Sequence, residues 1–186
     1  MEPIILASAS PRRAELLQQV GIPFEVQVAN YQEPEIKDLA MVETISAAKA
    51  REIARRNANS IVLGADTVVA KSGRFLGKPK DTGEAEAMLW ELSGSEHQVV
   101  TGIALIRSGQ VLTGRQETRV WLRELQEEEI KAYVASGEPL DKAGSYGIQG
   151  RAAVFVEWID GCYFNVVGLP LALLVQMLKR WGIFIW

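Results

Sequence analysis

Apolar residues recur along this chain in two rhythms, one with a period near two and one near 3.6, and their alternation lays out the elements. The run Ile4-Ile5-Leu6-Ala7 predicts a first strand. Ser10-Pro11 then opens a helix, with Ser10 as N-cap and Pro11 at the first helical position, where its missing N–H costs nothing. Leu16, Leu17 and Val20 give that helix an apolar stripe, and Gly21 ends it. Residues 24–28 alternate as a strand, and residues 38–57 return to helical spacing through Leu39, Val42, Ile45 and Ala48. Residues 61–70 form a mostly apolar run broken by Gly64-Ala65-Asp66-Thr67, a central strand with polar residues at a working end. Thr82 caps a helix over residues 83–92, helped by Glu84 and Glu86 in its first turn. Residues 98–106 and 111–122 are strands paired through a Ser108-Gly109 turn. An acidic helix over residues 127–135 stops at Ser136-Gly137, and a strand over residues 153–159 turns at Asp160-Gly161. Pro170 begins a last helix that reaches about Trp181. The sum is a mixed α/β fold, with helices interspersed among strands and at least one antiparallel pair.

Composition narrows the class. A length of 186 residues suits one domain, or two lobes sharing a cleft. Hydrophobic residues at 48% and charged residues at 23% are ordinary for a globular chain. Twenty basic residues against 23 acidic ones leave a net charge of −3 and no basic stripe, which argues against a protein that holds nucleic acid through its phosphates. Any phosphate it binds must be met locally. Residues 1–9 carry no basic segment followed by a long apolar run, so no signal peptide is expected. No window approaches the roughly 20 apolar residues that span a bilayer. Cys162 is the sole cysteine, which leaves no disulfide within the chain and no cysteine-based zinc cage. These features point to a cytoplasmic protein with no membrane partner.

Four groups carry candidate chemistry. Ser8-Ala9-Ser10-Pro11-Arg12-Arg13 sits where a strand hands over to a helix N-terminus, whose free N–H groups and positive dipole end favour an anion. Two guanidinium groups lie beside those donors, and arginine bonds phosphate oxygens in pairs. A capped helix with surface arginines is the plainer alternative. Asp66 lies on an otherwise apolar strand, where a carboxylate is costly unless paired, bonded or coordinating a cation. Metal ligation, general-base work and a structural hydrogen bond would each account for it. Glu33, in Gln32-Glu33-Pro34-Glu35, is a second carboxylate, in a stretch that by itself has the pattern of a solvated loop. Lys49, among helical alanines, and Lys78, in Gly77-Lys78-Pro79, either meet a triphosphate or are simply exposed. The fourth group is Asp141-Lys142-Ala143-Gly144-Ser145-Tyr146-Gly147-Ile148-Gln149-Gly150, whose glycines allow close backbone approach to a ligand or unusual turns. It contains no Walker A lysine motif.

His97 is the lone histidine and is expected to be a structural hydrogen-bonder rather than a base. A histidine-rich metal site is excluded, and no nucleophile-elbow motif accompanies a serine. The five tryptophans are scattered and suit packing. What remains is oxygen-ligand chemistry, with carboxylates suited to Mg²⁺ or Mn²⁺ and cationic side chains suited to phosphates.

In order and spacing, Ser8-Ala9-Ser10-Pro11-Arg12-Arg13, Gly64-Ala65-Asp66-Thr67, Gly77-Lys78-Pro79, Ser93-Gly94, Thr101-Gly102, the ten residues from Asp141 to Gly150, and Val167-Gly168-Leu169-Pro170-Leu171 resemble the Maf family. The resemblance covers essentially the whole chain. It implies a fold of the Maf and inosine-triphosphate-pyrophosphatase type: an elongated, twisted mixed sheet flanked by helices, one domain over residues 1–186 with two lobes around a deep cleft. It also implies hydrolysis of nucleoside triphosphates between the α- and β-phosphates with a divalent metal, Mg²⁺ or Mn²⁺. Asp66 matches the family's catalytic carboxylate, the proton acceptor, and Glu33 its second acidic position, sharing the metal. Ser8, Arg13, Lys49 and Lys78 fall on positions that hold phosphates.

Three positions set the branch. Arg12, Thr67 and Gln149 match the branch acting on dTTP and UTP, whereas members preferring 7-methyl-GTP typically carry tryptophan, glutamine and glutamate there. The Gln149 amide suits a pyrimidine edge read by paired hydrogen bonds. The implied activity converts dTTP and UTP, extending to CTP and modified pyrimidine nucleotides, to monophosphate and diphosphate, a house-cleaning of non-canonical nucleotides. The alternatives are a nucleotide-binding regulator of septum formation with little catalysis, and a 7-methyl-GTP pyrophosphatase. A homodimer is the remaining expectation that the resemblance brings, and the charge balance points to no nucleic-acid partner.

Overall fold

In the computed structural model, which describes residues 2–186, the first half of the chain runs β1 (Ile4–Leu6), α1 (Pro11–Gln19), β2 (Phe24–Val26), α2 (Met41–Ala54), β3 (Val62–Lys71), β4 (Arg74–Leu76) and α3 (Thr82–Leu92). The second half runs β5 (Glu96–Arg107), β6 (Gln110–Leu122), α4 (Glu127–Ala135), β7 (Val156–Asp160), α5 (Tyr163–Val167) and α6 (Leu171–Lys179). Three short 3-10 segments, Glu138–Asp141, Ala143–Ser145 and Arg151–Phe155, fill the stretch between α4 and β7. The strands form one seven-stranded sheet in the order β2-β1-β3-β5-β6-β7, with β4 paired to β3 off that path. β1 runs parallel to β2 and β3, while β4 and β7 run antiparallel to β3 and β6, so the sheet is mixed as expected. No helix among the described residues is long and apolar enough to cross a membrane.

Several elements differ from the pattern-based expectation, each for a local reason. Ser10 occupies the N-cap of α1, but its hydroxyl makes no capping bond; its N–H instead donates to Ser8 Oγ at 3.3 Å. The cap of α3 is Asp81 rather than Thr82: its carboxylate accepts from the Glu84 N–H at 2.8 Å, and Thr82 is the first helical residue. β3 is continuous through Asp66 and Thr67, which therefore sit mid-strand and not at its end. Residues 153–155, expected to begin the strand over 153–159, belong to the 3-10 segment Arg151–Phe155. Ala152 and Phe155 are buried three positions apart, the repeat of that helix, and the strand itself begins at Val156. The hairpin between β5 and β6 has positive φ at both Ser108 (49°) and Gly109 (79°), the turn whose twist matches that of paired strands.

The chain divides into two compact units. One comprises Met1–Thr67, Thr101–Gln116 and Gly168–Trp186; the other comprises Val68–Val100 and Glu117–Val167. In the first, α2 lays Ala47, Ala50 and Ile53 against Ile5 of β1, Val62 of β3 and Ala104 of β5. Small residues at three-residue spacing give this helix a flat face. The sheet answers with gaps of its own: a Cβ at Gly64 would lie 2.0 Å from the Ser46 carbonyl oxygen, and one at Gly102 2.5 Å from the Val42 carbonyl carbon. Glycine within a strand marks such close backbone approach. The helix backbone thus rests directly on β3 and β5. In the second unit, α3 and α4 bury Leu89, Leu92, Ile130 and Val134 with Val99 and Val120 of the sheet. Each such fully buried side chain contributes about 2 kcal/mol.

Candidate functional site

Successive residues of a strand project to opposite faces, and β3 uses this to serve two polar groups in the first unit. Gly64 and Asp66 face α2. Because Gly64 admits the helix backbone, Lys49 of α2 reaches down to Asp66, and its Nζ lies 2.7 Å from Asp66 Oδ1. Glu33, on the segment between β2 and α2, places Oε1 2.6 Å from the same Nζ. Asp66 is 6% exposed, whereas the Glu33 side chain is 54% exposed. Burial is the largest influence on the Asp66 carboxyl and raises its pKa; the Lys49 charge and hydrogen bond pull it down, Glu33 pushes it up, and Arg13 pulls it down. The balance leaves Asp66 easier to protonate than an ordinary aspartate.

Thr67 projects to the other face and joins a network around Arg13. Arg13 is the third residue of α1 and is buried. Its Nε donates to the Gly168 carbonyl at 2.8 Å, Nη1 to Ser8 Oγ at 2.8 Å and Nη2 to Thr67 Oγ1 at 3.1 Å. Thr67 Oγ1 in turn lies 2.9 Å from Thr101 Oγ1, with either hydroxyl able to donate. All three of these acceptors are uncharged oxygens. Burial lowers the Arg13 pKa and Asp66 raises it, but arginine stays protonated through any physiological range. Gly168 has φ +119°, and a Cβ there would lie 3.4 Å from Thr67 Oγ1 and 3.7 Å from Arg13 Nε. Both its conformation and its closeness to the guanidinium call for glycine.

The first unit therefore brings together six of the residues singled out in the sequence: Ser8, Arg13, Glu33, Lys49, Asp66 and Thr67. Arg12, beside them on α1, is half-buried. Lys78 and Gln149 belong to the second unit, where both are exposed. There the Gly144 N–H donates to the Gly77 carbonyl at 3.0 Å, tying the glycine-rich loop to the residue before Lys78. Thr101 and the Gly168 carbonyl belong to the network although only their motifs mark them in the sequence; a threonine between Val100 and Gly102 on an apolar strand carries the same signal as Asp66.

His97 is 2% exposed, and its Nε2 lies 2.7 Å from the Tyr146 hydroxyl. Burial, reinforced by the Lys71 charge, holds its pKa down at about 3, so it is a neutral hydrogen-bonder at working pH. Its Nδ1 is buried without a partner.

As a donor set for a divalent cation, Asp66 and Glu33 offer two carboxylates already converging on one positive centre, the Lys49 ammonium. No cluster of three or more His, Cys, Asp or Glu occurs among the described residues. Two carboxylates without a full protein cage fit Mg²⁺, which takes one or two carboxylates and completes its shell with substrate phosphates and water.

A mixed sheet in this strand order with such a polar cluster on a central strand defines an α/β protein of a known fold type. The solved structure of the Staphylococcus aureus Ham1 protein superposes with a TM-score of 0.54 over 96% of this chain and 99% of that one, at 13% identity, a likeness of fold alone. The family model described as Maf-like protein matches residues 3–181, and the chain belongs to that family. The dTTP/UTP pyrophosphatase of Symbiobacterium thermophilum is 52% identical over 98% of this chain and 95% of its own length. The proteins of the same name from Pelotomaculum thermopropionicum and Bacillus cereus are 47% and 49% identical over 98% of this chain, and over 98% and 92% of their own lengths.

Proposed function

We propose that this chain is a nucleoside triphosphate pyrophosphatase that hydrolyses dTTP and UTP to the monophosphate and diphosphate. The observation that carries this reading is the buried Asp66 held against Lys49 and Glu33, with the Arg13 guanidinium anchored nearby on uncharged oxygens. The names of relatives near 50% identity over nearly the full chain supply the substrate pair.

In the reaction, water attacks the α-phosphorus and pyrophosphate leaves. Asp66, buried within reach of Lys49 and Glu33, accepts the water's proton at its carboxylate. Asp66 and Glu33 are the residues that would hold Mg²⁺ or Mn²⁺, which would supply charge stabilisation to the phosphate oxygens. The three bonds of Arg13 engage three of the five N–H donors a guanidinium carries, and the others meet a phosphate oxygen. Ser8 keeps that guanidinium in place, and Lys49 adds positive charge as the transition state spreads negative charge over the transferred group. Lys78 as a further phosphate contact, Gln149 as the reader of the pyrimidine edge, and Arg12 and Thr67 as specificity positions rest on the family motifs. Action on CTP and modified pyrimidine triphosphates, a cytoplasmic location, a homodimeric state and the absence of nucleic-acid or membrane partners are further expectations of this reading.

The test is pyrophosphate release from dTTP, UTP and 7-methyl-GTP with Mg²⁺ or Mn²⁺, with Asp66→Asn as control. Metal-dependent release favouring dTTP or UTP, lost in the variant, supports the proposal. Preference for 7-methyl-GTP would overturn the branch, and no release from any triphosphate would leave a nucleotide-binding regulator as the better reading.

A further inference from the structure

Within the second unit, the loop that carries Gln149 is tied down by two buried or half-buried groups outside the site described so far. Glu138 opens the 3-10 segment Glu138–Asp141 that follows α4. Its Oε1 accepts from the Tyr133 hydroxyl at 3.1 Å, and its Oε2 accepts from the Arg151 N–H at 3.1 Å. The Tyr133 oxygen also accepts from the Gly147 N–H at 3.3 Å. The backbone two residues before Gln149 and two residues after it is therefore bonded to one phenol–carboxylate pair.

Two further observations point the same way. Gly150 has an ordinary φ of −96°, so its backbone does not demand glycine, but a Cβ there would lie 2.0 Å from Glu138 Oε1 and 2.6 Å from its Cδ. The glycine keeps the carboxylate's seat open. Lys142 Nζ donates to the Glu138 carbonyl at 2.7 Å, and a Cβ at Gly147 would meet the Lys142 side chain at 2.5 Å. Tyr133 is 4% exposed, and burial, then the Glu138 charge, raises its pKa, so it remains a hydroxyl donor. Gln149 itself is exposed. Tyr133 is buried and Glu138 half-buried, while the Gln149 tip is exposed where it could meet a ligand.

We propose that Glu138 and Tyr133 are positioning residues that fix the Gln149 amide for recognition of the pyrimidine base. This rests on the reading of Gln149 as the base-contacting residue. A glutamine amide presents one acceptor and one donor group, and by turning over it satisfies more than one base edge. Where that amide is presented depends on the backbone that carries it, and the two bonds on either side of Gln149 hold that backbone.

The experiment uses the full chain with Tyr133→Phe, which removes the hydroxyl and keeps the ring, and Gly150→Ala, whose Cβ displaces the Glu138 carboxylate. Gln149→Ala is measured beside them. Amide hydrogen exchange is followed at Gly147 and Arg151, and KM and kcat are measured for dTTP and 7-methyl-GTP. Losing a net hydrogen bond is worth about a factor of ten, so exchange at Gly147 in Tyr133→Phe and at Arg151 in Gly150→Ala rises about tenfold. The dTTP KM rises by a similar factor, kcat stays within about twofold, and the preference for dTTP falls about tenfold. Glu138→Gln keeps one carbonyl acceptor and gives an intermediate loss. A merely structural role would lower thermal stability without moving the substrate ratio. Unchanged exchange, or faster exchange with the substrate ratio of the parent protein, overturns the proposal. If Gln149→Ala loses the preference while Tyr133→Phe and Gly150→Ala keep it, the positioning role alone fails. If Gln149→Ala keeps the preference, base reading by Gln149 fails and the proposal falls with it.

Discussion

Gly64 is the position where a single methyl group should disturb both stability and chemistry. A Cβ built there lies 2.0 Å from the Ser46 carbonyl oxygen and 3.1 Å from Ala50 Cβ, whereas ordinary contact begins at 3.4 Å. The obstruction is helix backbone, which no side-chain rotation can clear. In Gly64→Ala, α2 must therefore retreat from β3 locally by about 1.4 Å, the difference between 3.4 and 2.0 Å. Overpacking of this kind costs about 1–3 kcal/mol. For a chain of this length each kcal/mol lowers Tm by about 2–4 °C, so a fall of about 2–12 °C is expected. Lys49 follows Ser46 by three residues on the same helix, and the retreat would stretch its 2.7 Å bond to Asp66 beyond hydrogen-bond range. A displacement near 1 Å at a reacting group costs roughly a hundredfold in rate.

The assays are a thermal melt and pyrophosphate release from dTTP at saturating metal. Gly83→Ala is the matched control: it makes the same chemical change in α3, where the new Cβ would meet only Asp81 Oδ1 at an ordinary 3.4 Å. Helix propensity favours that exchange by up to about 1 kcal/mol, so the control should melt no lower than the parent. A Gly64→Ala protein within 1–2 °C and about twofold of the parent would refute the idea that close packing of α2 sets the Lys49–Asp66 geometry. Lost stability with full activity would refute the second half alone.

Asp66→Asn should reduce pyrophosphate release by about 10²–10⁴-fold, the usual range for a general base. Its effect on stability has the opposite sign. The folded pKa is raised, so Asp66 favours folding where it is protonated, and that contribution is lost as pH rises from the ordinary value of 3.8 through the folded value. The asparagine protein should then be at least as stable as the parent in urea at neutral pH, with the difference closing below about pH 4; a midpoint lower at neutral pH than in acid, relative to the parent, would contradict this. Thr101→Val removes the hydroxyl that holds Thr67 Oγ1 and should cost about 1–3 kcal/mol by urea unfolding while lowering kcat/KM for dTTP; an unchanged urea midpoint would argue against the network. Arg13→Lys puts a single ammonium where three acceptors are spread around a planar fork, and a steady-state assay should show kcat/KM down about a hundredfold. Activity within a few-fold of the parent would mean that charge alone suffices there.

The parts of this protein that were legible in the sequence are those where one residue conflicts with its surroundings. Asp66 stood out because a carboxylate on an apolar strand needs a partner, and the structure supplies Lys49. Thr101 and Gly102 carried comparable signals: a hydroxyl and a missing side chain inside a buried strand. Their partners, Thr67 and the Val42 backbone, are distant in sequence, so the signal marks the position and not the contact. Glu33 was visible only through the family motif, and its half-exposed side chain in an irregular segment explains why. Among the elements, the long periodic ones were recovered to within a few residues at their ends. β4 and α5 span 3 and 5 residues and were not picked out; β1 is as short as β4, but it is an unbroken apolar run, whereas β4 is Arg74-Phe75-Leu76. Residues 153–155 misled because they end a 3-10 segment whose buried residues sit beside a true strand and share its apolar character.

The two cations at the heart of the first unit are held in different ways, and the difference bears on their use. Lys49 is paired with two carboxylates, so its charge is already matched. Arg13 is more deeply buried, yet the acceptors around it are a carbonyl and two hydroxyls, which orient the guanidinium without neutralising it. Burying an arginine is costly, and an apolar side chain of similar volume would often serve stability as well or better. If Arg13 were only a brace between β1, β3 and the start of α6, its charge would be a liability. A rigid, unneutralised guanidinium at a helix N-terminus is instead what an anionic substrate requires, because the orientation is fixed before the substrate arrives. The polar residues placed on successive strands, Ser8 just past β1, Thr67 on β3 and Thr101 on β5, are the means by which the fold sustains that charge.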